Sequence, residues 1–236
     1  MKHLFITGAS SGIGKALAEH ALKNGDKVTG ISRRHVIRHK NYSHITMDLS
    51  KHESLGKINF VPAKEAKTVV LVNNAGWLGD VKPVGDIDPD KMVRAFAINV
   101  NAPTILSRMF IGSLSKYIDL QKVIINISSG VSRYPLSSWS TYCASKAALD
   151  MFTRVMKLDH PDVYAFSIAP GIVDTEMQGE IRRLDRERFP DKERFVGYKE
   201  KGELSRPEDV AEKLYYVSDH PKDFEDVCFS LRNVEL

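Results

Sequence analysis

The sequence predicts an α/β fold, a doubly wound parallel sheet of seven strands with helices on both faces, and three observations carry that expectation. Short runs of Val, Ile and Leu alternate with longer stretches of helical periodicity along the whole chain, the order that builds βαβ units. Runs such as Val69-Val70-Leu71-Val72 and Val123-Ile124-Ile125-Asn126-Ile127 are apolar almost throughout, as in strands covered on both faces. The first strand runs directly into a glycine-rich turn that opens a helix.

His3–Thr7 is the first predicted strand, and Gly12–Asn24 is the helix after it. Lys27–Ser32, Ser43–Asp48 and Thr68–Asn73 are the next three strands. Pro89–Tyr117 reads as one long helix, with Asn99 inside it as a poor helix former. Strand Gln121–Ser128 leads to helix Ser138–Leu158, and strand Asp162–Ala169 leads to helix Val173–Arg188. Helix Pro207–Asp219 begins at Ser205-Arg206-Pro207-Glu208, with Pro in its first turn, and Asp226–Arg232 is the last strand. Right-handed crossovers set the strand C-termini along one edge, where ligands bind in such sheets. The charge-rich stretch Gly179–Glu203 is the most irregular and reads as part of a substrate lid over residues 173–203, or as a polar surface insertion. No repeat, linker or composition shift divides the chain, which reads as a single domain over 1–236.

Composition narrows the class without naming a function. The 34 Lys and Arg against 30 Asp and Glu leave a net charge of +4, and no long basic block concentrates it. Arg33-Arg34-His35-Val36-Ile37-Arg38-His39-Lys40 is short and interrupted, better suited to one phosphate than to nucleic acid. Two cysteines, Cys143 and Cys228, make neither a disulfide framework nor a metal cluster. The N-terminal apolar run is too short for a signal peptide, and no stretch approaches the roughly 20 apolar residues that span a bilayer. A cytoplasmic chain with no metal, membrane or nucleic-acid partner is the expectation.

Thr7-Gly8-Ala9-Ser10-Ser11-Gly12-Ile13-Gly14 follows the first strand. Gly8 permits the tight turn, Gly12 lets backbone approach a pyrophosphate, and Gly14 lets the helix pack on the strand. The helix N-terminus offers free N–H groups to the phosphates. A mononucleotide phosphate loop would need Ser or Thr after Lys15, where this chain has Ala16. The second strand ends in Ser32-Arg33-Arg34 rather than in a carboxylate for a ribose 2′-hydroxyl, which favours NADP(H). Lys15 is placed to add charge there. Asp48, ending the third strand, reads equally as an acceptor for the adenine edge and as turn chemistry with Leu49 and Ser50.

Tyr142 and Lys146 lie four apart on one helix face. An ammonium beside a phenol favours the phenolate and lowers its pKa from about 10. Ser128-Ser129 ends a buried strand at the ligand edge, and Asn73-Asn74-Ala75-Gly76 ends another at a turn open to a cofactor ring.

These motifs, with Asn99 and Pro170-Gly171, occur in the order of the short-chain dehydrogenase/reductase family, which the chain resembles over nearly its whole length. The resemblance implies that Tyr142 donates the proton as hydride arrives, Lys146 lowers the tyrosine pKa and holds the nicotinamide ribose, Ser129 bonds the substrate oxygen, and Asn99 holds a relay water. It implies a cofactor lying along Gly8, Ser10, Ser11, Gly12, Ile13 and Gly14, then Arg33, Arg34, Asp48 and Leu49. Asn74, Ala75, Gly76, Tyr142, Lys146, Pro170, Gly171, Val173 and Thr175 complete that set. Trp139 through Phe152 and Ala169 through Gln178 look like the sepiapterin reductase branch, whose microbial relatives reduce benzil and other vicinal dicarbonyls. Where that branch carries an Asp for the pterin on the last strand, this chain has Ser230, a neutral partner. Trp77, Tyr134, Trp139 and Met177 would instead wall a pocket for aromatic ketones. The expected function is an NADPH-dependent carbonyl reductase acting on a small molecule as a homo-oligomer. A sepiapterin reductase and a non-catalytic NADP(H)-binding sensor or scaffold are the alternatives.

Overall fold

The computed structural model describes residues 1–236, and seven strands form one sheet. They are β1 Lys2–Thr7, β2 Lys27–Ser32, β3 Tyr42–Thr46, β4 Thr68–Asn73, β5 Gln121–Ile127, β6 Val163–Ala169 and β7 Cys228–Ser230. Their order is β3-β2-β1-β4-β5-β6-β7, and every pairing is parallel. The winding reverses between β1 and β4, so a crevice opens beyond their C-terminal ends.

Successive strand residues face opposite sides, which sorts the core into two layers. On one side Leu4 and Ile6 of β1 meet Leu17 and Ala21 of α1 (Gly12–Lys23), with Leu214 and Val217 of the C-terminal helix. On the other, Phe5, Leu71 and Ile124 pack with Leu106 and Phe110 from the helix preceding β5. Phe110 stands edge-on to Phe60 at 5.4 Å and has no exposed surface. A third, smaller cluster around Trp139, Phe189 and Phe195 lies beyond the sheet edge and roofs the crevice.

The remaining helices are α2 His52–Leu55, α3 Pro89–Phe96, α4 Ala102–Leu114, α5 Ser140–Asp159, α6 Glu176–Arg182, α7 Lys192–Glu200 and α8 Pro207–Asp219. Several depart from the sequence expectation. The single helix expected over Pro89–Tyr117 is divided by a π turn at Ala97–Asn101 and ends at Leu114. Pro103 has no N–H to give the Asn99 carbonyl four residues back, and the wider turn accommodates the missing bond. The helix expected from Val173 starts only at Glu176, because Val173 pairs with Ser205 as an isolated bridge. It stops at Arg182, and α7, not expected, follows Pro190. The last strand shrinks to three residues because the Ser230 hydroxyl accepts from the Arg232 N–H (3.3 Å) and folds Leu231–Asn233 into a 3-10 turn. β3 lies slightly N-terminal of its expected range, and the short α2 was not foreseen.

Phe110 anchors α4 to the sheet by burial alone. Phe110→Ala is expected to lower the unfolding free energy by about 3–5 kcal/mol, measured by chemical denaturation.

Candidate active site

The crevice is a cleft of about 710 Å³ beyond β1, β4, β5 and β6. At its centre the β1 turn and the β4 turn are tied together. The Thr7 hydroxyl accepts from the backbone N–H groups of Asn74 and Ala75, each at 3.0 Å. The Asn74 side-chain amide donates back to the carbonyls of Thr7 (3.0 Å) and Gly8 (3.4 Å). Gly8 adopts φ +69°, a left-handed conformation open to glycine. A Cβ on Gly14 would stand 2.5 Å from the Gly8 carbonyl oxygen, so the helix can approach the turn only without a side chain there. Gly14 lies behind the turn; Gly8, Ser10, Ser11, Gly12 and Ile13 line the cleft. Ser11 caps α1 without using its hydroxyl, which leaves the first-turn N–H groups for an anion.

At one end Arg33, Arg34, Asp48 and Leu49 line the cleft, both arginines being exposed. Asp48 takes the turn role: its Oδ1 accepts from the Ser50 N–H (3.0 Å) and hydroxyl (2.8 Å). Those bonds, chiefly the backbone one, hold its carboxyl below the usual range, helped by Arg94 and Arg33. Lys15 points away to Glu19 at 3.6 Å and is not a cleft residue, contrary to expectation. Arg94, which no local pattern marks, lines this end with its guanidinium 5.3 Å from the Trp77 ring centre.

At the other end Ser129, Tyr142 and Lys146 converge. Ser129 opens the turn after β5, its hydroxyl accepting from the Val131 N–H at 3.4 Å. Lys146 donates to the Ile127 carbonyl at 2.7 Å, with its ammonium 5.6 Å from the Tyr142 ring centre. The expected depression of the tyrosine pKa is not found. Burial pushes the Tyr142 phenol up to about 12; the neighbouring Ser129 hydroxyl pulls the other way, and Cys143 adds to the rise. Burial also drives the Lys146 ammonium down to about 8, opposed by Asp150. A Cβ on Gly76 would lie 3.6 Å from both Asn99 Oδ1 and Lys146 Nζ, so both border the space at Gly76. The Asn99 side chain is committed to the Trp77 backbone, accepting from the N–H and donating to the carbonyl, each at 2.8 Å, and donating to Ser145 at 3.1 Å. Asn99 itself is buried and does not line the cleft, whereas its neighbour Ile98 does.

Asn74, Ala75, Gly76, Pro170, Gly171, Val173 and Thr175 complete the floor between the two ends, and Thr175 reaches across to within 3.2 Å of a Cβ placed on Gly12. Trp77, Tyr134, Trp139, Met177 and Ser230 line the wall. Trp139 stands edge-on to Tyr142 at 5.5 Å and packs on Phe189 and Phe195, so it is both core and pocket wall. Phe195 and Tyr198 of α7 also face the cleft, hidden from sequence reading inside the charged segment.

Residues 2–186 match the short chain dehydrogenase family. The chain belongs to it. The benzil reductase ((S)-benzoin forming) of Bacillus subtilis (strain 168) is 35% identical over 224 residues, covering 91% of this chain and 92% of that one. The sepiapterin reductase of Meriones unguiculatus is 31% identical over 237 residues, covering 89% and 88%. A short-chain dehydrogenase/reductase of Saccharomyces cerevisiae superposes with a TM-score of 0.85 at 25% identity, covering 99% and 97%. As a member of this short-chain dehydrogenase family the chain is an oxidoreductase of carbonyl and hydroxyl groups with a nicotinamide cofactor. Its open glycine turn and unused helix N-terminus fit the cofactor's pyrophosphate. No helix is long and apolar enough to cross a membrane.

Lys146 leaves a signature in stability. An unfolded lysine titrates near 10.4, whereas burial holds this one at about 8. Between those values the folded chain binds fewer protons, so the residue's contribution to stability rises with pH. The cost of burying the ammonium is complete below about pH 8 and gone above about 10.5. Relative to Lys146→Met, wild-type unfolding free energy is expected to gain about 3 kcal/mol across that window, measured by denaturation of both chains at each pH.

Proposed function

We propose that the chain is an NADPH-dependent reductase of vicinal dicarbonyls or aromatic ketones of the benzil kind. The observation that carries this reading is the aromatic wall ending on the proton donor, Trp139 against Tyr142, with Ser129 and Lys146 at its foot. The likeness to two benzil reductases, 35% and 32% identical over 91% of this chain, supports the substrate class. Ser230, whose hydroxyl is already engaged by the Arg232 N–H, offers no carboxylate to a pterin and disfavours the sepiapterin alternative.

When bound, the cofactor supplies a hydride to the carbonyl carbon. Ser129 donates a hydrogen bond to the carbonyl oxygen and stabilises the charge that develops there. Burial keeps the Tyr142 phenol protonated, so it holds a proton that passes to the oxygen as the C=O π bond breaks. Lys146 stands behind it near neutrality, able to hold the nicotinamide ribose and to replace that proton. The Asn99 carbonyl, without an α-helical donor, is an acceptor for a water on the same path. Gly8, Ser11, Gly12 and Ile13 would hold the pyrophosphate, and Arg33 and Arg34 the 2′-phosphate. Residues 173–203, with α6 and α7, form the lid that covers the substrate. Exposed Met151, Val155 and Leu158 along α5 support self-association of this chain.

Tyr142→Phe is expected to cut benzil turnover at least about 1000-fold while NADPH still quenches or shifts protein fluorescence as in wild type. A panel of benzil, simple aryl ketones and sepiapterin tests the substrate class. Benzil should be consumed fastest. Sepiapterin turnover above benzil would overturn the assignment, and tight NADPH binding with no turnover would favour a sensor. Removing both Arg33 and Arg34 by Ala should raise the KM for NADPH by about 100-fold, two charge-assisted contacts at 1.5 kcal/mol each, and leave that for NADH nearly unchanged; steady-state kinetics with both cofactors reads this directly.

A further inference from the structure

Asp150 sits one turn beyond Lys146 on α5, 8% exposed and outside the cleft lining. Each of its carboxylate oxygens accepts one serine hydroxyl at 2.6 Å, Ser132 on Oδ2 and Ser167 of β6 on Oδ1. No cation lies within ion-pair distance of it. A buried carboxylate without an ion pair relies on hydrogen-bond donors, and here both come from serines. Its placement ties three elements together. Ser132 closes the turn that carries Ser129, its N–H donating to the Ser129 carbonyl at 3.1 Å. One carboxylate thus grips the turn of the substrate-binding serine, the centre of β6 and the helix of Tyr142 and Lys146.

We propose that Asp150 is a positioning residue for the reduction, fixing the Ser129 turn against α5 and setting a negative charge one helical turn from Lys146. The inference rests on the reductase reading. Lys146 faces Tyr142 on its own helix and the Ile127 carbonyl from β5, neither of them anionic, with Gly76 of the β4 turn in front of it. Cys143 and Ser129 adjoin the phenol. Asp150 is the carboxylate whose field reaches the ammonium, and it opposes the effect of burial there. Arg133, Arg154 and Cys228 share the far side of Asp150, where the Cys228 thiol also points at the Asp150 carbonyl (3.8 Å). That thiol is raised by its burial and by Asp150, so it stays neutral and does not compete for the lysine.

Two variants separate charge from geometry. Asp150→Asn keeps the shape and removes the charge; Ser132→Ala keeps the charge and cuts the link to the turn. Benzil reduction at saturating NADPH is followed from pH 6 to 10, with NADPH affinity measured alongside. Asp150→Asn should match wild type within about threefold at low pH and lose kcat/KM at a pH lower by about one unit, a tenfold deficit on the alkaline side. Ser132→Ala should keep the wild-type pH profile and NADPH affinity while kcat falls about tenfold. An alkaline limb unmoved in Asp150→Asn, with an active wild type, overturns the inference and leaves the reductase reading standing. Wild-type kcat in Ser132→Ala overturns it as well, and this arm decides if Asp150→Asn does not fold. A wild-type chain that binds NADPH yet reduces no carbonyl overturns both.

Discussion

Everything in the cleft depends on how closely the backbones of the β1 and β4 turns approach. The Thr7 hydroxyl and the Asn74 amide bridge them with four hydrogen bonds, and the space for that amide exists only because Gly8 and Gly14 lack side chains. Asn74 sits one residue after β4, in the turn that leads to Gly76 and so to Lys146 and Asn99. The phosphate end and the reactive end are thereby set in register by one amide. Neither turn has to be ordered by a ligand, which lowers the entropic cost of binding one.

A second layer of polar contacts runs beneath the first, inside the core. The Asn73 amide donates to Asn126 (2.8 Å) and Ser107 (3.2 Å), and Asn126 donates to Thr153 (2.8 Å), joining β4, β5, α4 and α5. The Asn73 Oδ1 is left without a partner, but the donors are all engaged, and such a chain of hydrogen bonds favours one register of α5 on the sheet over the several that apolar packing alone would admit. Tyr142, Lys146 and Asp150 all ride on that helix. Their burial raises one pKa and lowers another, and the same desolvation that costs stability prepares a neutral acid beside a cation close to its titration point.

Most of this was legible in the sequence because its signals are local. Strands such as Val69–Val72 and Val123–Ile127 are marked by composition, and the glycine turn by its position after the first of them. Spacing alone put Tyr142 and Lys146 on one face. Most of what was misread depends on contacts distant in sequence. The break at Ala97–Asn101 had a local cue in Pro103, outweighed by the apolar pattern around it. Nothing local announced that Val173 pairs with Ser205, or that Phe195 would turn inward from a charged stretch to join Trp139. The sign of the tyrosine shift was misjudged because spacing reports proximity, whereas desolvation reports the whole enclosure. Asp150 escaped notice for the same reason, since its partners come from a turn and a strand elsewhere in the chain.

Arg33 and Arg34 are exposed, carry no ion pair and lie past the last buried residue of β2. The chemical machinery is interlocked through the core, but this end of the site hangs free of it. Two surface codons could therefore be rewritten without disturbing a single buried contact. With the 2′-phosphate role proposed for them, cofactor preference would be evolvable on its own, and a lineage could change its source of reducing equivalents while its chemistry stays fixed.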